Sequence, residues 1–151
     1  CSTHELLPNV MSIEERITTS HLLTDVYGFW PSFHDAEVLE ISIRREASMA
    51  RTLPCLYATI YLCRQKSLVD AGGSFRLIDP LVVQLNFLDI DQLSMTGFNH
   101  QNVLSNLYIT EISEKEFVQL NFRVRFAGIF GVDLCFECNS IQVHSIQPWQ
   151  E

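Results

Sequence analysis

The spacing of hydrophobic residues changes once along the chain, from a helical period to a period of two. Between residues 12 and 28, apolar side chains recur at intervals of three or four, which predicts an amphipathic helix. Ser12 followed by Glu15 has the form of a capping box, in which the two side chains satisfy each other's free backbone N–H groups. The hydroxyl residues at 18–20 compete with the helix for backbone hydrogen bonds, so we expect one frayed helix or two short ones.

The end of this helical segment is marked by two residues of special backbone geometry. Gly28 is placed to end the helix in a left-handed conformation, and Pro31 prevents the helix from resuming. Leu39, Ile41 and Ile43 then alternate with polar residues, which predicts a half-buried strand with these three side chains facing the core.

The rest of the chain repeats this two-residue alternation. The predicted strands are 55–63, 81–88, 104–112, 117–126, 130–138 and 141–146. Segment 81–88 is apolar on both faces except at Gln84 and Asn86, so we expect it in the centre of the sheet. The pattern predicts a mostly β fold, α+β at the margin: an antiparallel curved sheet, a sandwich or a partly open barrel with a short N-terminal helix.

The clearest alternation predicts a late hairpin. Its predicted buried face comprises Val118, Leu120, Phe122, Val124, Phe126, Val132, Leu134 and Phe136. If the turn is the odd loop 127–129, Phe126 lies opposite Phe130, and both apolar sets share one face. The same register places Arg123 opposite Asp133, which is a favourable cross-strand pair.

Composition indicates one globular domain. The chain has 151 residues, of which 47% are hydrophobic and 19% charged. We expect residues 1–10 to be an N-terminal extension and residues 11–151 to be a single β-rich domain. No apolar run reaches the roughly 18 residues that a membrane span requires. The net charge of −8 repels nucleic acids and anionic membranes, so we expect neither as a partner, whereas a basic protein is attracted.

The cysteines favour a reducing compartment. They are Cys1, Cys55, Cys63, Cys135 and Cys138. An odd number without framework spacing indicates reduced thiols and a cytoplasmic protein. Cys135 and Cys138 have the spacing of a zinc or redox pair, but residues three apart in a strand point to opposite faces. We therefore expect neither zinc nor a disulfide there, and Cys138 is predicted to be a core residue.

Motifs of catalytic and metal sites are missing from the sequence. No two histidines have the spacing of a metal pair, no glycine-rich loop opens a helix, and no serine lies in a nucleophile elbow. We therefore predict no enzyme activity, no metal site and no cofactor. His21 is expected to be a partly buried packing residue and His100 a loop residue. Asp89 and Asp91 share a strand face and are expected to form a solvated acidic corner.

An unusual group of residues joins the helix to the first strand. Trp30, Phe33, His34, Asp35 and Glu37 lie within eight positions, and they are the candidate binding or structural residues. The parity of the predicted strand turns both carboxylates toward the core, where they need hydrogen-bond donors. We expect Asp35 to accept backbone N–H groups and fix this corner, and the two aromatic rings to fill the core beneath it. The alternatives are a catalytic acid or an exposed binding site.

The same stretch resembles a known family. The string Tyr27-Gly28-Phe29-Trp30-Pro31-Ser32-Phe33-His34-Asp35-Ala36-Glu37-Val38 resembles the signature of the immunity protein 50 family. The later pattern Phe136-x-Cys138-x-x-Ile141-x-Val143-x-x-Ile146-x-Pro148 is similar to the end of that family. The resemblance implies a small, mostly β protein that is encoded beside a bacterial polymorphic toxin. It implies that the chain binds and neutralises that toxin, and it implies no reaction.

Three functional hypotheses follow from the sequence. The first is a non-enzymatic immunity protein that binds a cognate bacterial toxin domain, which the acidic charge suggests is basic. The second is a small-ligand-binding β-domain with a pocket near the 30–37 corner. The third is a hydrolase that uses His34 with Asp35 or Glu37. Adjacent strand residues face opposite sides, so His34 and Asp35 cooperate only if the corner is irregular.

Overall fold

The structure is a computed structural model that describes residues 12–45, 53–67, 72–112 and 120–150. The expected domain boundary after residue 10 and the predicted core position Val118 lie outside these ranges.

Strands dominate the described residues, and the helical structure is short. The elements are a 3-10 turn at Ile13–Arg16, helix α1 at His21–Tyr27, and strands β1 Glu37–Arg44, β2 Cys55–Leu62, β3 Gln65–Lys66, β4 Leu77–Ile78, β5 Leu81–Thr96, β6 Val103–Glu111, β7 Phe122–Phe130 and β8 Asp133–Pro148. This confirms the mostly β prediction, and it confirms two short helical pieces in place of one long helix.

Six strands form one antiparallel sheet in the order β1-β2-β5-β8-β7-β6. The sheet curves until its edge strands meet, with Glu37 of β1 opposite Val103 of β6. Strands β3 and β4 form a separate small hairpin. Strand β5 lies between β2 and β8, so the predicted central position of its first half is confirmed.

Backbone hydrogen bonds set the limits of the helical segment. Gly28 has φ +82° and donates its N–H to the carbonyl of Thr24, which confirms its predicted role at the helix end. The predicted capping box is wrong, because the Ser12 side chain makes no cap hydrogen bond. The 3-10 turn uses the N–H of Glu15 for a bond of 3.1 Å to the Ser12 carbonyl, so the hydroxyl finds no free donor there.

The helical segment lies against the core and is joined to β8. Leu23, Tyr27 and Phe33 are completely buried in the core cluster. Thr18 forms a parallel bridge with Gln142, in which the N–H of Thr18 donates to the Ile141 carbonyl at 2.8 Å. The segment before α1 is thereby held by the strand that lies farthest from it in sequence.

A β-bulge corrects the predicted orientation of β1. Val38 lies opposite Ile60, but Glu40 lies opposite Thr59, so Leu39 is an extra residue without a partner in the register. Leu39 is 39% exposed, and its predicted place in the core is wrong. An extra residue reverses the alternation of side chains, so positions before the bulge face opposite to the parity that the sequence suggested.

After the bulge the predicted face of β1 is correct. Ile41 and Ile43 lie opposite Ala58 and Leu56, two buried residues of β2, and they share the inner face of the sheet with them. Ile43 is nevertheless exposed, because it lies near the end of β1.

The late hairpin has the predicted buried face but another register. All its predicted core positions within the described ranges are buried. Arg123 lies opposite Glu137, not Asp133, and Phe130 lies opposite Val103. The chain turns at Gly131, where φ is +75° and a Cβ would collide with the carbonyl of Gln101. The shift is an even number of residues, so the same side chains stay buried.

The segment 141–146 is not a separate strand. Strand β8 continues without interruption from Asp133 to Pro148, since it pairs with β5 along its length. A register irregularity between Gln84 and Leu85 accommodates one extra residue of β8 there.

Candidate functional site

The corner between α1 and β1 is irregular. Phe33 and Asp35 both have left-handed backbone conformations, with φ of +64° and +65°. The N–H of Asp35 donates to the Leu104 carbonyl at 2.9 Å, and the Ala36 carbonyl accepts from the N–H of Leu104 at 2.8 Å. The corner is therefore held by backbone hydrogen bonds to β6.

The two aromatic residues of the corner differ in burial. Phe33 is completely buried, as predicted. Trp30 is only partly buried, and its ring packs against the core with its centroid 5.7 Å from that of Phe33. The apolar mass under the turn comes mainly from Phe33.

The irregular corner brings His34 and Asp35 together. His34 Nδ1 lies 3.2 Å from Asp35 Oδ2, although the two side chains are 62% and 59% exposed. The Asp35 carboxylate accepts no backbone N–H within the described residues, so its predicted role as a cap is wrong. The side chain is exposed to solvent. The N–H groups of Asp35 and Ala36 donate to backbone carbonyls, and the N–H of His34 donates to the Ser32 hydroxyl at 3.2 Å.

Glu37 faces away from the core. It lies opposite Tyr61, whereas its neighbour Val38 lies opposite the buried Ile60. The predicted inward orientation is wrong because the bulge at Leu39 reverses the parity. Glu37 is half-buried on the outer surface, between Val103 on one side and Tyr61 on the other.

The cysteine pair has the predicted geometry. Cys135 is exposed and Cys138 is buried, so their side chains lie on opposite faces of β8. Burial raises the pKa of the Cys138 thiol, and the charge of Asp89 adds to this effect. The thiol therefore stays protonated, and Cys138 is the core residue that the alternation predicts.

The described histidines lie in different parts of the fold. His100 lies in a loop, as predicted. His21 is exposed, and its predicted packing role is wrong. That prediction assumed one continuous helix from Ile13, but the chain leaves helical geometry at Thr19, where φ is +57°. Across the four described ranges, no cluster of three or more His, Cys, Asp or Glu side chains is arranged to hold a metal ion.

Two clefts were not predicted. One, of about 240 Å³, lies between the end of α1 and the β3–β4 hairpin, and it is lined by Asp25–Gly28, Ser67, Ser74 and Arg76. The other, of about 310 Å³, lies on the outer face of the sheet and is lined by Glu40, Ser42, Arg44, Tyr57, Gln84, Asn86 and His144. Neither lining includes a residue of 30–37. The polar positions Gln84 and Asn86, in an otherwise apolar strand, were the sequence signal for the outer cleft.

Within the part of the chain that the structure describes, no helix has the length and the apolar character to cross a membrane.

Comparison with known proteins finds one family. The model of the family Immunity protein 50 matches residues 75–149, about half of the chain. The match contains strands β4 to β8 and the late pattern 136–148, and the string 27–38 lies outside it. No curated protein and no solved structure matches the chain. The match agrees with the resemblance of the late strand pattern and with the mostly β fold, and the chain belongs to the immunity protein 50 family.

Proposed function

We propose that this chain is a non-enzymatic immunity protein that binds the cognate toxin domain of a bacterial polymorphic toxin system and thereby neutralises it. The observation that supports the proposal is the family match over residues 75–149. Neutralisation is proposed to be steric, with the bound chain covering the active site of the toxin or the path of its substrate.

The surface chemistry supports a basic partner and a cytoplasmic location. Acidic residues outnumber basic ones by 18 to 10, so a positively charged toxin surface is attracted over long range. The described cysteines are free thiols, including the exposed Cys135, which suits a reducing compartment.

Co-expression tests the proposal. We expect that a bacterial host that dies when it expresses the toxin domain encoded beside this chain survives when both are expressed. The two purified proteins are expected to co-elute from a sizing column. A toxin domain from an unrelated system is the control, and this chain is expected neither to bind it nor to protect against it. Unchanged killing by the cognate toxin, with no complex, would contradict the proposal.

The third hypothesis, a hydrolase, is kept as an alternative function because the corner meets its geometric condition. His34 and Asp35 are 3.2 Å apart, close enough for the carboxylate to orient the imidazole. The two functions differ in what His34→Asn does. If the chain acts by binding, the protection that the His34→Asn variant gives is expected to vary in proportion to its affinity for the toxin. A variant that binds the toxin as tightly as the wild type but no longer protects would favour catalysis.

A further inference from the structure

A row of four residues crosses four strands on the outer face of the sheet. Phe130 lies opposite Val103, Val103 lies opposite Glu37, and Glu37 lies opposite Tyr61. Directly opposed residues of antiparallel strands point to the same side of a sheet. The row therefore bridges β7, β6, β1 and β2 at the place where the curved sheet closes.

A tryptophan extends the row at its β2 end. The Trp149 ring meets the Tyr61 ring edge-on, with centroids 5.1 Å apart. Its backbone N–H is anchored to the Pro80 carbonyl at 3.0 Å. Trp149 is 42% exposed, and Phe130 at the other end is 55% exposed. We call these five residues, Phe130, Val103, Glu37, Tyr61 and Trp149, the Glu37 row.

The centre of the Glu37 row is a carboxylate that has no side-chain partner among the described residues. Glu37 forms no ion pair or hydrogen bond through its side chain with any described residue. Some surface carboxylates are neutralised by an arginine, namely Glu137 by Arg123 at 2.9 Å and Asp133 by Arg125 at 3.3 Å, whereas Glu37 is not. Glu37 is half-buried between Val103 and Tyr61, so its charge is partly removed from water and no donor compensates it.

Exposed aromatic rings around a central charge are typical of a protein-binding hot spot. Aromatic side chains bury a large area at low entropic cost, and a charge at the centre of an interface selects its partner. A donor on a bound partner would satisfy Glu37, and the rings at both ends of the row would exclude water around the new pair. The chemistry of Glu37 requires this donor to be cationic or strongly polar.

We propose that the Glu37 row is the toxin-docking surface, in which Glu37 accepts an arginine or lysine side chain of the toxin and the aromatic rings pack around it. This inference rests on the proposed immunity function. A second copy of this chain fits the row poorly, because two partly buried Glu37 carboxylates would meet across a two-fold axis and repel each other.

The charge of Glu37 is tested with an isosteric variant and a matched control. Glu37→Gln removes the charge and keeps the shape, and Glu15→Gln removes one charge from an exposed site on the 3-10 turn. Affinity for the purified toxin domain encoded beside this chain is measured by calorimetry. We expect Glu37→Gln to weaken binding by about 30-fold or more, the loss typical of a desolvated charge pair. We expect Glu15→Gln to change it by less than about threefold.

The aromatic part of the row is tested in the same way. Phe130→Ser removes an exposed ring of the row, and Phe75→Ser removes an exposed ring near the β3–β4 hairpin, at 55% and 47% exposure respectively. We expect a loss of about tenfold or more in affinity for the first and little change for the second. Thermal unfolding of all four variants is measured to check that each is folded.

The outcomes separate the docking surface from the function. If the wild type neither binds the toxin nor protects the host, the proposed function fails and this inference fails with it. If the wild type binds, but Glu37→Gln and Phe130→Ser bind within about threefold of it, the function stands and the docking surface lies elsewhere. Selective loss in these two variants supports the Glu37 row.

Discussion

Asn102 is the residue that ties the loop after β5 to its neighbours. Its side-chain oxygen accepts the backbone N–H groups of Asn99 at 2.9 Å and Val132 at 3.2 Å. Its amide nitrogen donates to the carbonyls of Asn99 at 2.8 Å and Val38 at 3.4 Å. The side chain is 4% exposed, so water cannot replace these bonds. One buried amide thus joins β1, the β5–β6 loop and the β7–β8 turn.

Asn102→Ala is expected to lower the free energy of unfolding by about 2–4 kcal/mol, because it removes a partner from the buried Val132 N–H and Val38 carbonyl and from two part-buried backbone groups of Asn99. Urea denaturation measures this loss. Gln101→Ala, in the same loop but exposed, is the control and is expected to change stability by less than about 0.5 kcal/mol. Equal stabilities of the two variants would mean that the Asn102 side chain does not stabilise the junction between β1, the β5–β6 loop and the β7–β8 turn.

Tyr27 places a hydroxyl group in the core. Its Oη is buried and has no hydrogen-bond partner within the described residues. Burial raises the pKa of Tyr27 to about 12, and the nearby Cys63 thiol adds to this effect. The folded state therefore holds the phenol proton at a pH where the unfolded chain, with an ordinary pKa near 10.0, has released it.

This buried phenol predicts a loss of stability in alkali. Below pH 10 the phenol is protonated in both the folded and the unfolded state, so its ionisation does not lower the free energy of unfolding. As the pH rises from 10 toward about 12, the unfolded chain loses the proton first, and the folded state loses stability relative to it. In Tyr27→Phe we expect a shallower fall over this range, by on the order of 1–3 kcal/mol. At neutral pH the variant is expected to be as stable as the wild type or more so, since no hydrogen bond is lost. Denaturant titrations at several pH values test this, and identical pH profiles would contradict it.

At the scale of elements, the bulge in β1 and the register of the late hairpin show which features the two-residue alternation of apolar side chains can predict and which it cannot. A period of two identifies which side chains share a face, and any even shift of register preserves that result, so the buried set of β7 and β8 was predictable. The pairing itself depends on where the chain turns. Both Gly128 and Gly131 are local candidates, and the pairing of β7 with β6 selects the second.

The observed hairpin register is testable with one new cysteine. Arg125 lies directly opposite the exposed Cys135, a separation that suits a disulfide. We expect Arg125→Cys to form an intramolecular disulfide under mild oxidation, detected by peptide mapping without reductant. Arg123→Cys, opposite Glu137, is expected to stay reduced. In the register that the sequence suggested, residue 121 faces Cys135, so a disulfide in Asn121→Cys would contradict the structure.

The candidate corner was only partly predictable for a related reason. The concentration of aromatic and acidic residues at 30–37 marked the junction, and the burial of Phe33 followed from its chemistry. The orientation of Glu37 could not be predicted from the sequence, because no local pattern indicates that Leu39 is an extra residue in a bulge. The partner of Val38 and the neighbours of Glu37 are set by strands β2 and β6, which are distant in sequence.

At the scale of the whole molecule, the excess of acidic charge survives the pairing of surface ions. Among the described residues, four arginines form ion pairs: Arg16 with Glu111, Arg64 with Asp79, Arg123 with Glu137 and Arg125 with Asp133. Each ion pair neutralises charge locally, but the net charge of −8 is unchanged and still acts at longer range.

If the toxin surface is basic, this field accelerates the encounter. We expect the association rate constant to fall by about tenfold or more between about 50 and 500 mM NaCl, because salt shortens the Debye length. The dissociation rate constant is expected to change less, and stopped-flow mixing measures both. An association rate that is constant or rises with salt would contradict a basic partner.

The position of β8 in the sheet has a consequence for the order of synthesis. Strand β8 pairs with β5 on one side and β7 on the other, and it also holds Thr18. While the ribosome makes the chain, the five other strands of this sheet therefore emerge before the one that joins them. Contacts between such distant segments form slowly, and unpaired edges invite aggregation in the meantime. We expect the sheet to be completed only after translation has passed residue 148.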